Sequence, residues 1–159
     1  MSACFNQKSA HSEPQVTEPG FYVFGGKDDD GTILDSLKVL KVSGNSCEWK
    51  YPITKGPYPP ARYGHAMVFN EASNILIIHG GRNDNLYQMN RDICLNDFRI
   101  LNLLEMKWSV AASYGDLCPS GRWQHSMTMY RSAIVIFGGL GFNTYLSPEM
   151  KFIETGNEK

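Results

Sequence analysis

Short apolar runs bounded by turn residues recur along the chain. Three of them are residues 66–69, 75–78 and 134–137, and such runs are typical of strands that are buried on both faces. Segments 35–42 and 96–103 instead alternate apolar and polar residues, as does a strand with one face toward a core. Because no segment shows the 3.6-residue period of an amphipathic helix, the pattern predicts an all-β fold.

The predicted strands are short and are separated by turn segments. We place them near residues 20–25, 36–42, 47–52, 64–70, 74–79, 96–102, 106–112, 124–130 and 133–138. A further strand is expected around Met150, Phe152 and Ile153, where apolar residues return after a polar loop.

The order of these segments repeats along the chain. Glycine pairs begin at residues 25, 80 and 138, at intervals of 55 and 58 residues, and a period of about 50 residues indicates stacked supersecondary units. Ahead of the second and third pairs, an arginine is followed three residues later by a histidine, and Lys8 with His11 forms a weaker copy ahead of the first. A tryptophan-bearing strand closes the first two repeats. Four antiparallel strands per repeat are the composition of one propeller blade.

The recurring residues fit structural roles at the junctions between blades. Glycine permits a positive φ and a close backbone approach at a tight corner. A tryptophan can bury about 150 to 250 Å² between successive sheets, and a buried arginine or histidine can bind backbone carbonyls or pack on a neighbouring ring. We predict such roles, with the two tryptophans equally buried, for Gly25, Gly26, Gly80, Gly81, Gly138, Gly139, Arg62, Arg122, His65, His125, Trp49 and Trp108.

The order of arginine-x-x-histidine, two apolar strands, a glycine pair, an alternating strand and a tryptophan strand resembles the kelch-repeat family. The resemblance implies a partial β-propeller of four-stranded blades, organised as a single kelch-repeat region over residues 1–159. Its repeats are expected at residues 8–53, 62–112 and 122–154. In the first repeat, Glu13 and Pro14 disrupt the expected first strand, and the third repeat has no tryptophan strand.

About two and a half repeats are too few for a closed ring, because propellers have about 4 to 8 blades. An open arc leaves apolar blade faces exposed at both ends. The chain is therefore expected to be a fragment of a longer propeller, a truncated product or a piece completed by another chain. A symmetric pair of the same chain is included in the last alternative.

Composition narrows the class of protein. The chain of 159 residues is 42% hydrophobic and 19% charged, which is typical of a globular domain. A formal net charge of −1 gives no electrostatic attraction to nucleic acid, and no apolar run approaches the roughly 20 residues of a membrane span. Four cysteines without a C-x-x-C pair and the lack of a signal-peptide pattern favour a reducing, cytoplasmic location. Nuclear or cytoskeletal association stays open.

Long polar loops on one face of the propeller are the expected binding surface. The connections at the opposite face are short, whereas the segments after the glycine pairs and the connectors between blades are long and carry aromatic residues. Binding residues concentrate in such loops, and tyrosine and arginine are enriched among interface hot spots. The candidates for binding a protein partner are Tyr58, Arg82, Asn83, Asp84, Asn85, Tyr87, Arg91, Tyr114, Phe142, Asn143 and Tyr145.

The sequence contains little that indicates a catalytic or metal-binding site. Residues 28–30 are three aspartates, but the spacing of a calcium loop is missing. His79 occupies the repeat position of Phe24 and Phe137, which favours packing over catalysis. We therefore expect a non-enzymatic interaction module, a scaffold or adaptor, with no catalytic residue, metal site or cofactor. The alternative is a fragment or subunit of a propeller enzyme, since the resemblance extends to copper-dependent galactose oxidase.

Overall fold

The computed structural model describes residues 2–6, 19–111, 119–142 and 150–154. The regular structure of these residues consists of strands and one 3₁₀ helix at Asp84–Met89. The strands are β1 (Ser2–Asn6), β2 (Gly20–Lys27), β3 (Ile33–Ser43), β4 (Ser46–Lys50), β5 (Ala66–Asn70), β6 (Ile75–His79), β7 (Phe98–Asn102), β8 (Lys107–Val110), β9 (Ser126–Tyr130), β10 (Ala133–Phe137) and β11 (Met150–Glu154). No helix among the described residues is long and apolar enough to cross a bilayer.

The strands form three antiparallel sheets, and each sheet is one blade. Blade 1 has the order β1-β2-β3-β4, blade 2 the order β5-β6-β7-β8, and blade 3 the order β9-β10-β11. The first strands of the blades lie side by side, β1 against β5 and β5 against β9. The blades therefore fan out in chain order from a common inner side. This arrangement confirms the predicted all-β fold, a partial propeller with an incomplete ring.

The apolar pattern located most of these strands. Runs 75–78 and 134–137 fall within β6 and β10, and the alternating segment 35–42 falls within β3. The strand expected around Met150 is β11. Predicted and observed bounds differ mainly at strand ends: β7 begins two residues after the predicted 96, because Asp97 leaves the sheet ladder and binds an arginine at the blade junction.

Blade 1 begins earlier than the predicted first repeat, which we placed from residue 8. Its innermost strand is β1, which pairs antiparallel with β2 and sets Ser2 opposite Phe24. Proline removes a ladder hydrogen bond, and β1 contains no proline. The weaker motif copy at Lys8 and His11 lies outside the described residues.

The glycine pair at the end of β2 closes the junction between blades 1 and 2. Gly25 and Gly26 have φ angles of 59° and 107°, a region that side-chain-bearing residues rarely adopt. The Gly26 amide donates a hydrogen bond to the Arg62 carbonyl at 2.9 Å, and a Cβ on Gly25 would lie 2.5 Å from the same oxygen. Between blades 2 and 3, Gly81 donates to Arg122 in the same way at 2.8 Å. The glycines are needed because the following blade approaches the backbone this closely.

Two apolar layers hold the blades together. The larger layer lies between blades 1 and 2 and contains the buried Trp108, whose ring centroid lies 5.6 Å from that of Phe24. The second layer lies between blades 2 and 3 and contains Ile77 and Ile136. In a fold whose repeats contact only their neighbours, stability depends on such interfaces, and each Å² of apolar surface buried contributes about 25 cal/mol.

Trp49 differs from its repeat equivalent in burial. Trp108 is 0% exposed, whereas Trp49 is 47% exposed, so the prediction that both are equally buried is wrong for Trp49. Trp108 is covered by blade 1 and by the connector between blades, where Thr54 accepts a hydrogen bond from the indole N–H at 3.1 Å. On the corresponding side of blade 1, the described part of the chain supplies neither a blade nor a connector. Trp49 therefore lies on an open sheet face.

Candidate functional site

The loops after the glycine pairs of blades 2 and 3 meet at one cleft. Segment 80–97 joins β6 to β7, and residues 140–142 come after β10. The cleft between them has a volume of about 200 Å³. We call it the loop cleft, and it is lined by Tyr87, Asn90, Arg91, Asp92, Ile93 and Phe142. Two adjacent blades thus contribute side chains to a single surface.

A 3₁₀ helix presents Tyr87 at the loop cleft. Before this helix, the side-chain oxygen of Asn83 accepts a hydrogen bond from the Asn85 amide at 3.0 Å, and the Asn83 side-chain amide donates to the Ala61 carbonyl at 2.8 Å. Leu86 is buried in a small apolar cluster under the helix. Tyr87, the next residue, is 70% exposed. An asparagine cap and an apolar anchor therefore fix the direction in which the tyrosine projects.

An ionic cluster fixes the start of the same loop. Asp84 accepts hydrogen bonds from the Tyr63 hydroxyl at 2.8 Å and from Arg82 Nε at 2.5 Å. The Arg82 guanidinium lies 5.0 Å from the centroid of the Trp123 ring, a cation–π arrangement. Burial alone would raise the pKa of the Asp84 carboxyl, but the hydrogen bonds from Arg82 and Tyr63 lower this pKa overall. The cluster links blade 2 to the entry of blade 3.

The candidate binding residues of the loops occupy three kinds of position. Those exposed to solvent are Asn85, Tyr87, Arg91 and Phe142. Those that hold the loop through bonds within the chain are Arg82, Asn83 and Asp84. Those that lie outside the described residues are Tyr114, Asn143 and Tyr145.

Tyr58 lies at the junction of blades 1 and 2, away from the loop cleft. Its ring centroid lies 6.0 Å from that of Trp108 and 6.2 Å from that of Phe24. Burial raises the pKa of the Tyr58 hydroxyl, although a hydrogen bond to the Leu37 backbone acts in the opposite direction. Tyr58 thus packs over the buried tryptophan.

Some residues at the surface of this loop were not among the binding candidates predicted from the sequence. Asn90, Asp92 and Ile93 line the loop cleft, and Met89, two residues after Tyr87, is exposed. Their membership of a long polar loop was the only available signal, because the residue types alone do not distinguish a cleft wall from a solvated turn.

A second cleft, of about 520 Å³, lies where blades 2 and 3 begin. It is lined by Lys27, Tyr63, Gly64, His65, Trp123, Gln124 and His125. Lys27 Nζ lies 5.4 Å from the centroid of the Tyr63 ring and 3.9 Å from the Asp84 carboxylate. Neither Lys27 nor Tyr63 was among the binding candidates predicted from the sequence.

Arg62 is fully buried. Its Nη1 donates to the Gly80 carbonyl at 2.9 Å, and its guanidinium binds both carboxylate oxygens of Asp97 at 2.7 and 2.9 Å. Burial alone would raise the pKa of Asp97, but hydrogen bonds and charge from Arg62 and Arg99 lower it to about 2. Arg122 donates to the Gly138 carbonyl at 3.0 Å in the same way. The two arginines support the glycine turns of their own blades.

The histidines of the repeats pack at the blade junctions. His79 Nδ1 and His125 Nε2 are 3.1 Å apart. Burial, assisted by neighbouring positive charge, lowers the pKa of His65 and His79 to about 3 and that of His125 to about 4. All three are therefore neutral at pH 7. Within the described ranges, no three metal-ligating side chains come together.

Comparison with known sequences identifies the repeat. The model of the KLHDC2/KLHL20/DRC7 Kelch-repeats domain matches residues 11–158. The chain belongs to the kelch-repeat family. This membership agrees with the stacked blades, the glycine-pair turns and the arginine-x-x-histidine entries described above.

This chain spans only a small part of the length of several curated relatives. A probable serine/threonine-protein kinase of Dictyostelium discoideum is 35% identical over 77% of this chain, which spans 9% of that protein. Dynein regulatory complex subunit 7 of Chlamydomonas reinhardtii is 31% identical over 83% of the chain, which spans 11% of it. Kelch domain-containing protein 3 of Rattus norvegicus is 29% identical over 74% of the chain, which spans 28% of it.

A solved structure shares the kelch fold at low identity. A chain in the cryo-EM structure of RAG in complex with one melted and one unmelted RSS superposes with a TM-score of 0.70 at 15% identity. The match covers 96% of this chain and 50% of the RAG chain. The likeness concerns the fold alone.

Proposed function

We propose that this kelch-repeat chain is a protein-interaction module that binds a partner protein through the loop cleft and catalyses no reaction. The convergence of Tyr87, Arg91 and Phe142 from two blades on one exposed cleft carries the proposal. A cytoplasmic location belongs to the same proposal, as does a scaffold or adaptor role.

The composition of the loop cleft suits a protein interface. Tyr87 and Phe142 are 70% and 54% exposed, and the charged Arg91 and Asp92 line the same cleft. Interface centres are enriched in aromatic residues and arginine, with a polar rim around them. Both aromatics have few rotatable bonds, so little conformational entropy is lost when they are immobilised by a partner.

The support beneath the cleft also favours binding. Asn83, Leu86 and the bond between Arg82 and Asp84 hold the 3₁₀ helix against blade 2. A loop that is already ordered pays less for ordering when a partner binds. Among the relatives, dynein regulatory complex subunit 7 is by its name part of a protein complex.

A non-catalytic role fits the chemistry of the repeat residues. His65, His79 and His125 are buried at blade junctions, with pKa values lowered to between about 3 and about 4. A general base works best with a pKa near the working pH. Their repeated positions further favour packing, since a site for chemistry requires a unique arrangement of groups.

Capture from cell extract tests this function. The triple variant Tyr87→Ala, Arg91→Ala and Phe142→Ala should keep its fold, because surface substitutions usually cost within about 0.5 kcal/mol each. It should capture less than about a tenth of the partner that the unchanged chain retains, because hot-spot residues carry most of the binding energy. Quantitative mass spectrometry of the captured proteins measures the ratio.

The control is Leu104→Ala, which alters an exposed apolar residue in the turn between β7 and β8. That turn is at the opposite end of the blade from the loop cleft, because successive strands are antiparallel. This variant should capture the partner normally. Equal capture by the unchanged chain and a folded triple variant would refute binding through the loop cleft.

A further inference from the structure

The two ends of the arc each expose an apolar sheet face. In blade 1, the side away from blade 2 carries Val42 and Trp49, both exposed; we call it the blade 1 open face. In blade 3, the side away from blade 2 carries Tyr130 and Phe137, also exposed; we call it the blade 3 open face. Within the described residues, no other blade packs against either of these two faces.

The repeat identifies what each open face is shaped to contact. Trp49 occupies in blade 1 the position of Trp108 in blade 2, and Phe137 occupies in blade 3 the position of Phe24 in blade 1, directly before the glycine pair. Phe24 and Trp108 contact each other between blades 1 and 2 in an edge-on arrangement, with ring centroids 5.6 Å apart. Trp49 and Phe137 are therefore equivalents of the two members of this buried pair. Each lies at one end of the arc of blades and is 47% exposed.

The surroundings of the two residues extend the match. Register places Trp49 opposite Leu40, as Trp108 lies opposite Leu101. The buried row that contains Leu101 and Trp108 packs on the side of blade 1 that contains Tyr22 and Phe24. On blade 3, Val135 holds the position of Tyr22, two residues before Phe137. Each open face thus repeats one side of the interface between blades 1 and 2.

We propose that two copies of this chain associate head to tail, with Phe137 of each copy packed on Trp49 of the other. Each contact joins the blade 1 open face of one copy to the blade 3 open face of the other. Two such contacts, related by a two-fold axis, close a ring. The ring has twice the three blades of one chain, within the range of about 4 to 8 blades in closed propellers.

Sedimentation velocity of the purified chain of 159 residues tests the proposal. The unchanged chain should sediment as a species of twice 17.9 kDa. Trp49→Asp and Phe137→Asp should each weaken the dimer more than about tenfold, because each places a charge in an apolar contact. Both side chains are half exposed, so the circular dichroism of the two variants should match that of the unchanged chain.

Mixing the two variants distinguishes a head-to-tail pair from other pairs. A mixed pair retains one unaltered contact, between Trp49 of the Phe137→Asp chain and Phe137 of the Trp49→Asp chain, so mixed dimers should form where neither variant dimerises alone. Val42→Lys, a second change on the blade 1 open face, should behave as Trp49→Asp does. Tyr87→Asp, at the loop cleft, should leave the dimer intact, which separates this proposal from the proposed function.

Three results would overturn the proposal. A chain that stays monomeric at concentrations up to about 100 μM, which excludes a Kd in the micromolar range or tighter, would show that the open faces do not pair with each other. A dimer that is lost in Trp49→Asp but kept in Phe137→Asp would show two blade 1 open faces packed on each other. Failure of the mixed variants to pair, with both folded, would exclude a head-to-tail contact.

Discussion

Trp108 is the largest fully buried side chain at the contact between blades 1 and 2. It is fully buried against Phe24 and Tyr58 and donates a hydrogen bond to Thr54. We predict that Trp108→Ala lowers the free energy of unfolding by about 3 to 5 kcal/mol, because it removes a large buried side chain and leaves a cavity. Trp49→Ala, at the equivalent but open position, should cost less than about 1 kcal/mol in the monomer. Urea denaturation at low protein concentration measures both, and equal costs would contradict the assignment of faces.

The buried histidines should make the stability depend on pH. The pKa of His79 falls from 6.5 to about 3 on folding because of burial and the nearby His125, so the unfolded state binds more protons between these pH values. The stability that depends on a neutral His79 is fully present above pH 6.5 and is lost as the pH falls toward about 3. Over this range the free energy of unfolding decreases by up to about 1.4 kcal/mol per pH unit for each such histidine.

His79→Phe tests this dependence, since Phe24 and Phe137 hold the equivalent positions. The variant should show a shallower loss of stability between pH 6.5 and 4.5 than the unchanged chain. Thermal denaturation over this range measures it. The carboxyl of Asp97, with a pKa of about 2, titrates below the range and does not interfere. Parallel curves for the two proteins would contradict the burial of His79.

At the scale of elements, the glycine pair acts as part of the junction with the next blade. Gly80 and Gly138 have nearly equal φ angles of 65° and 67°. A Cβ on Gly80 would lie 2.5 Å from the Arg122 carbonyl oxygen, whereas one on Gly138 would meet no described atom within 4 Å. Gly80→Ala should therefore destabilise the chain by more than Gly138→Ala, which should cost only the roughly 1 to 2 kcal/mol of backbone strain. Chemical denaturation of the two variants as monomers compares their free energies of unfolding, and a larger loss of stability in Gly138→Ala would contradict this account.

The sequence was informative where the repeat determines structure, and less so where contacts come from other elements. Apolar runs and glycine pairs located the strands, because their period follows from the sheet itself. The first strand of blade 1 was missed because Ser2–Asn6 carries no arginine-x-x-histidine entry. The exposure of Trp49 was missed because the repeat makes it look identical to Trp108. In the loop, the inward role of Asp84 depends on Tyr63, which is distant in sequence.

At the scale of the whole molecule, the two proposed contacts use different surfaces. The loop cleft combines loops at one end of blades 2 and 3, whereas the open faces are the flat sides of blades 1 and 3. Because repeats contact only their neighbours, a substitution at Tyr87 should leave pairing through Trp49 unchanged, and the reverse should also hold. The chain could then bind a partner while its ring is closed.

Site-specific photo-crosslinking tests the central claim, binding through the loop cleft, most directly. A photoreactive phenylalanine analogue is placed at Tyr87 or at Phe142, and for comparison at Leu104, which is exposed in the turn between β7 and β8. After irradiation in cell extract, the same partner protein should be linked to the chain from Tyr87 and from Phe142 and should be absent at Leu104. A partner linked from Leu104 and from neither residue of the loop cleft would contradict the account.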